Sequence, residues 1–124
     1  MGLLNFWINK KIQINFSDDN ISELIKKTDL LCQTLINNGY GFYVDYLTQI
    51  RMSAENKNES KFRELVISRE LFGGSGALWE IDIQDSTEYQ KFNIQFRDYI
   101  NLITLMGIKN GRIKQIQKIM PKLR

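Results

Sequence analysis

Glu80 and Asp82 stand at alternating positions in "LFGGSGALWEIDI", residues 71–83, with Gly73, Gly74 and Gly76 just before them and Asp85 just after. Residues of these types support three kinds of chemistry. Two neighbouring carboxylates can work as general acid and base, or they can hold a hard divalent cation. A glycine-rich run can cradle a phosphate. The phosphate reading fails on spacing: the run has neither a six-residue glycine fingerprint nor a Gly-Lys-Ser/Thr ending. It also leads into an alternating apolar pattern, where a phosphate loop leads into a helix N-terminus. The other two readings are weakened by direction. Glu80 and Asp82 lie on the face opposite Trp79, Ile81 and Ile83, so they are expected to point to water, whereas a catalytic carboxylate works in a desolvated or charge-coupled setting that moves its pKa. The glycines have a sufficient backbone role. Gly73 can cap a helix in the left-handed region, and Gly74 and Gly76 can make the tight reversal that follows.

No catalytic partner stands elsewhere in the chain. It contains no histidine, which removes Ser/His and Cys/His nucleophile systems, the common zinc sites and the usual neutral-pH base. Cys32, the one cysteine, falls on an apolar helical stripe, where a thiol is expected to be buried and inert. The expectation is a protein that is not an enzyme, with no catalytic residues, no metal, no cofactor and no small-molecule substrate.

Hydrophobic period supplies the elements that must position this stretch. Ile21, Leu24, Ile25, Leu31, Cys32, Leu35 and Ile36 recur at the spacing of one helix face, with Asn20 and Glu23 as a capping box and Gly39 as the stop. Tyr43, Tyr46, Leu47, Ile50 and Ala54 mark a second helix. A third is expected from about Glu59 to Phe72, with Phe62, Leu65, Val66 and Arg69 on one face and Gly73 at its end. The fourth starts at the capping pair Asp85 and Glu88 and carries Tyr89, Phe92, Phe96, Tyr99, Ile100, Ile103 and Met106 up to Gly107 or the "NG" at 110–111. A short fifth carries Ile113, Ile116 and Met120 before Pro121. Short connections favour antiparallel neighbours. The predicted fold is therefore mainly α, a compact antiparallel bundle of about five helices in a single domain, residues 1–124. Two segments, "KIQINF" (Ile12, Ile14, Phe16) and "LWEIDIQ" (Trp79, Ile81, Ile83), have the period of two of a half-buried strand, and can pair as a small two-stranded ribbon laid on the bundle.

Composition agrees with one globular core: 124 residues, 43% hydrophobic and 25% charged. A lone cysteine suits a reducing compartment. The apolar run in "MGLLNFWINKK" is too short to span a bilayer, has no basic region before it and no small-residue cleavage site, and Phe6 stands where a myristoylation motif wants Ser or Thr. A cytoplasmic protein without a membrane partner is expected. The net charge of +3 is unevenly placed, with Lys109, Arg112, Lys114, Lys118, Lys122 and Arg124 at the end and no acid among them. Such a tail can meet phosphate backbones or acidic proteins. Nucleic acid is disfavoured because no aromatic residues are interleaved for stacking, and cations also suit a helix C-terminus.

The run Arg69–Ile83, "RELFGGSGALWEIDI", resembles the central motif of a family of small, uncharacterised bacterial helical proteins that read Leu-Phe-Gly-Gly-x-Gly-Ser-Leu before a short apolar, acid-containing segment. Ala77 replaces the usual Ser, and the helix order on either side is similar. Proteins of this kind resemble the immunity proteins encoded beside polymorphic toxins, which implies binding and neutralising one cognate toxin domain. The alternative is a nucleic-acid-binding accessory protein using the basic C-terminal tail. A protein inhibitor needs a few aromatic anchors on a rigid scaffold. "GYGFYVDY" offers more aromatics than one helical stripe can bury. Tyr43 and Tyr46 fit the core, which leaves Tyr40 and Phe42, with Trp79, Glu80 and Asp82, as the expected partner-binding residues. Immunity proteins against nucleases are commonly strongly acidic; this chain is not, which implies a toxin of another kind.

Overall fold

In the computed structural model, residues 14–72 and 76–119 are described. The longest apolar stripe of the chain becomes its longest helix and the centre of its core. That helix, Ser86–Met106, starts where Asp85 accepts from the Glu88 backbone N–H at 2.9 Å and ends at Gly107, whose φ is +126°. Its inner face carries Phe92, Phe96, Tyr99, Ile100 and Ile103, all fully enclosed. The rings of Phe92, Phe96 and Tyr99 stack in series, 5.6 and 6.4 Å between centroids.

Numbered along the chain, the helices are α1 (Asp18–Asn37), α2 (Val44–Glu55), α3 (Glu59–Val66), the single turn α4 (Arg69–Phe72), α5 (Ser86–Met106) and α6 (Gly111–Ile119). Short 3-10 turns at Gly41–Tyr43 and Leu78–Glu80 complete the set, and the described residues contain no strand. The most extensive packing is between α1 and α5. They run antiparallel: Asn38, just past the end of α1, donates to Glu88 in the first turn of α5 at 2.9 Å, and Thr34 meets Gln95 at 2.7 Å. At the other end the Asn15 N–H donates to the Met106 carbonyl at 2.8 Å. Leu24, Leu31 and Leu35 of α1 are buried against this face, and α2 covers α1 with Leu47, Ile50 and Ala54. The mainly helical bundle with five helices of two turns or more is as the periodicity predicts.

Several local expectations are corrected. The first helix is capped by Ser17, not Asn20: the Ser17 hydroxyl accepts from the Asn20 N–H at 3.2 Å, and Asn20 reaches back to the Asn15 carbonyl. The expected third helix breaks at Ile67 and Ser68, and Arg69 is exposed rather than on its inner face. A side chain from α2 meets the chain at this break: the Leu65 carbonyl accepts from the Tyr46 hydroxyl at 2.5 Å as well as from the Ser68 N–H at 3.4 Å, and the Tyr46 hydroxyl meets the Ser68 hydroxyl.

The two-stranded ribbon does not form. Ile14 and Asn15 give their N–H groups to Glu59 and Met106, not to residues 79–83. Leu78–Glu80 is a 3-10 turn. The alternation is nevertheless physical: Ile81 and Ile83 are buried while Glu80, Asp82 and Gln84 are exposed. An extended segment laid along a helical core alternates its side chains as a strand does, without a ladder partner. Gly73, Gly74, Ile12, Met120 and Pro121, assigned above to a turn, a strand and a helix end, lie outside the described residues.

Replacing Phe96 with Ala is expected to cost roughly 3–5 kcal/mol, read from denaturant unfolding, because the ring is enclosed on all sides by other rings and helices. A loss below about 1 kcal/mol would mean that this face of α5 is not the centre of the core.

Candidate functional site

The end of α1 turns the chain into the candidate site. Gly39 has φ +84°, and the Gly39 and Tyr40 N–H groups bond back to the Ile36 and Leu35 carbonyls, the double closure that lets a helix end in a left-handed residue. Tyr40 therefore leaves the helix in a fixed direction. The 3-10 turn Gly41–Tyr43 follows, and its two aromatics are covered unequally: Tyr43 is buried, while Phe42 is 71% exposed.

Phe42 is held where it stands. Its ring lies 4.4 Å from that of Tyr43 and 6.1 Å from that of Tyr40. Both tyrosines are pinned to the segment that begins at Gly76: the Tyr43 hydroxyl donates to the Gly76 carbonyl at 2.6 Å, and the Tyr40 hydroxyl donates to the Asp82 carbonyl at 2.9 Å. Gly76 itself has φ +88°, with open space where a side chain would go, so the backbone conformation alone calls for glycine there. The two stretches singled out in the sequence, 40–43 and 76–82, are thus one construction.

Of the five predicted partner-binding residues, Tyr40 and Asp82 are joined directly, and Phe42 stands against Tyr40. Glu80 and Asp82 face solvent, and Gln84 donates to an Asp82 carboxylate oxygen at 3.3 Å. Trp79 is half-buried and lies under the Arg112 guanidinium, 5.3 Å from the ring centroid. Arg112 also donates through Nε to the Phe72 carbonyl at 2.9 Å. One of the six terminal cations, exposed as it is, is therefore engaged by the fold and ties α6 to both flanks of the glycine run; Lys122 and Arg124 lie outside the described residues.

Sequence reasoning missed two members of this face. Ile36 is 53% exposed, and its Cγ1 lies 3.8 Å from where a Gly41 side chain would begin, so it adds apolar surface against the start of the turn that carries Phe42. Periodicity placed Ile36 with the core, because it cannot tell which side of a helix's last turn is covered. Asn38 is the other, bridging the Thr34 carbonyl and the Glu88 carboxylate.

The arrangement offers an apolar, aromatic knob and carboxylates in water. Cys32 is half-buried; burial pushes its thiol pKa up, the nearby Asp29 carboxylate adds to this, and Arg51 opposes it. Among the described residues no group of three His, Cys, Asp or Glu side chains is placed to hold a metal ion, and no helix is long and apolar enough to cross a membrane. An open cleft of about 470 Å3 lies at the far end of the α1–α5 pair, lined by Asp19, Glu23, Lys27, Asp98, Asn101 and Leu105 among others, and touches none of the residues above.

Gly76→Ala is expected to lower stability by roughly 1–2 kcal/mol in denaturant unfolding, the cost of a Cβ in the left-handed region, and Gly76→Asn by less. Equal stability of all three proteins would show that the φ at residue 76 is not a constraint. Compared with family models, with curated proteins and with solved structures, the chain matches none.

Proposed function

We propose that this protein is an immunity-type protein, which binds a cognate bacterial toxin domain through the face built from residues 36–42 and 79–82 and neutralises it by protein–protein contact. The observation that carries the reading is Phe42. A phenylalanine left mostly in water costs solvation free energy, and this one is held there by two tyrosines with buried or half-buried rings and bonded hydroxyls. A rigid exposed aromatic loses little side-chain entropy on binding, which is what a binding hot spot requires. The resemblance of Arg69–Ile83 to the motif of small immunity-like proteins supports the same reading, since Gly76 and Asp82 within that run hold the tyrosines.

The experiment is co-expression with toxin domains encoded beside the gene. The protein is expected to restore growth against one of them. Phe42→Ala is expected to weaken the purified complex about 30-fold, the ~2 kcal/mol of a hot-spot residue, while changing stability by less than about 1 kcal/mol. Failure to rescue against every neighbouring toxin, or a Phe42→Ala protein that binds as the parent does, overturns the proposal.

A further inference from the structure

We infer that the partner of this face is cationic, a protein surface whose apolar recess takes Phe42 and whose rim is made of lysine and arginine side chains. This rests on the docking reading above and names what docks.

The inference comes from where the charges are. The face of residues 36–42 and 79–82 lies within two longer stretches, 33–50 and 76–90, and none of the 17 lysines and arginines of the chain falls in either. The acids that do fall there include Glu80, Asp82, Asp85 and Glu88, and the first three are exposed. The structure brings the two stretches together through the bonds from Tyr40 to Asp82, Tyr43 to Gly76 and Asn38 to Glu88. An uneven sequence pattern thus becomes an anionic strip alongside an apolar knob. Arg112, which meets this face at Trp79, is directed to the Phe72 carbonyl and the Trp79 ring.

The combination selects the partner's chemistry. Phe42 and Ile36, 71% and 53% exposed, ask for apolar contact, and a partner that covers them also removes water from the neighbouring carboxylates. The local dielectric falls, so like charges on the partner would be strongly repelled and cations attracted. Nucleic acid and an anionic lipid surface carry the same sign as the strip and are disfavoured on this face.

The probes are two synthetic amphipathic helical peptides of about 18 residues, some five turns, one of Leu and Lys and one of Leu and Glu in the same pattern. Each is titrated into the full 15N-labelled chain. The Leu/Lys peptide is expected to shift the amides of residues 36–42 and 79–82. Its affinity is expected to fall about tenfold between about 0.05 and about 0.3 M salt, as for exposed charges under screening. Phe42→Ala and the double change Glu80→Gln with Asp82→Asn are each expected to weaken it several-fold at unchanged melting temperature, which separates lost contact from lost folding. If the Leu/Glu peptide binds this face as tightly, the cationic inference fails and the docking face stands. If neither peptide shifts these amides, or the shifts fall only at the Asp19, Glu23 and Asp98 cleft, the docking face fails as well.

Discussion

Everything in this fold leans on the inner face of α5. A 21-residue helix whose inner face sets three large rings, Phe92, Phe96 and Tyr99, among buried aliphatic side chains cannot be covered by one neighbour. It takes α1 along its length, Phe72 from α4 at 5.9 Å from Phe96, and Ile113 and Ile116 from α6. Three large rings in series leave little freedom to slide, because each occupies a hole shaped by the others. The antiparallel register of α1 on α5 follows, and with it the place where α1 must stop and turn.

That stop is what gives the molecule a face. The chain after α1 must cross the end of the bundle, and the segment from Gly76 must return to start α5 at Asp85. Both pass the same end, and tyrosine hydroxyls knit them together. Tyrosine suits the task because its ring can join the apolar core while its hydroxyl satisfies a carbonyl that an irregular segment leaves unpaired. Tyr46 does the same work between α2 and the break after α3. Burial raises the pKa of Tyr43 and Tyr46, so both hydroxyls keep the proton they donate across the ordinary pH range.

The helices were legible in the sequence because their signals are local. Apolar spacing, the Asp85 cap and the glycines at 39 and 107 act within a turn or two of chain. The errors arose where a distant group meets the local chain. Nothing near Ile67 announces that Tyr46, some twenty residues earlier, will meet the Leu65 carbonyl. The alternation in "LWEIDIQ" correctly separated buried from exposed side chains, yet it named the wrong element, since a period of two reports sidedness and not a hydrogen-bonded partner. The candidate site was legible as two lists, aromatics at 40–42 and acids at 80–82. That they form one surface was not, because the bonds joining them span 33 and 42 residues.

The central claim is that one end of the bundle, carrying Phe42 between its pinned tyrosines, is the surface at which a partner docks. Hydrogen exchange by mass spectrometry on the full chain, alone and with the toxin domain proposed above as its partner, tests this most directly. The account predicts slowed exchange concentrated in peptides covering residues 36–43 and 76–84, with α6 and the Asp19–Glu23 end of α1 unchanged. Protection confined to α6 or to the α1–α5 cleft, with the Phe42 turn exchanging as in the free protein, would contradict it.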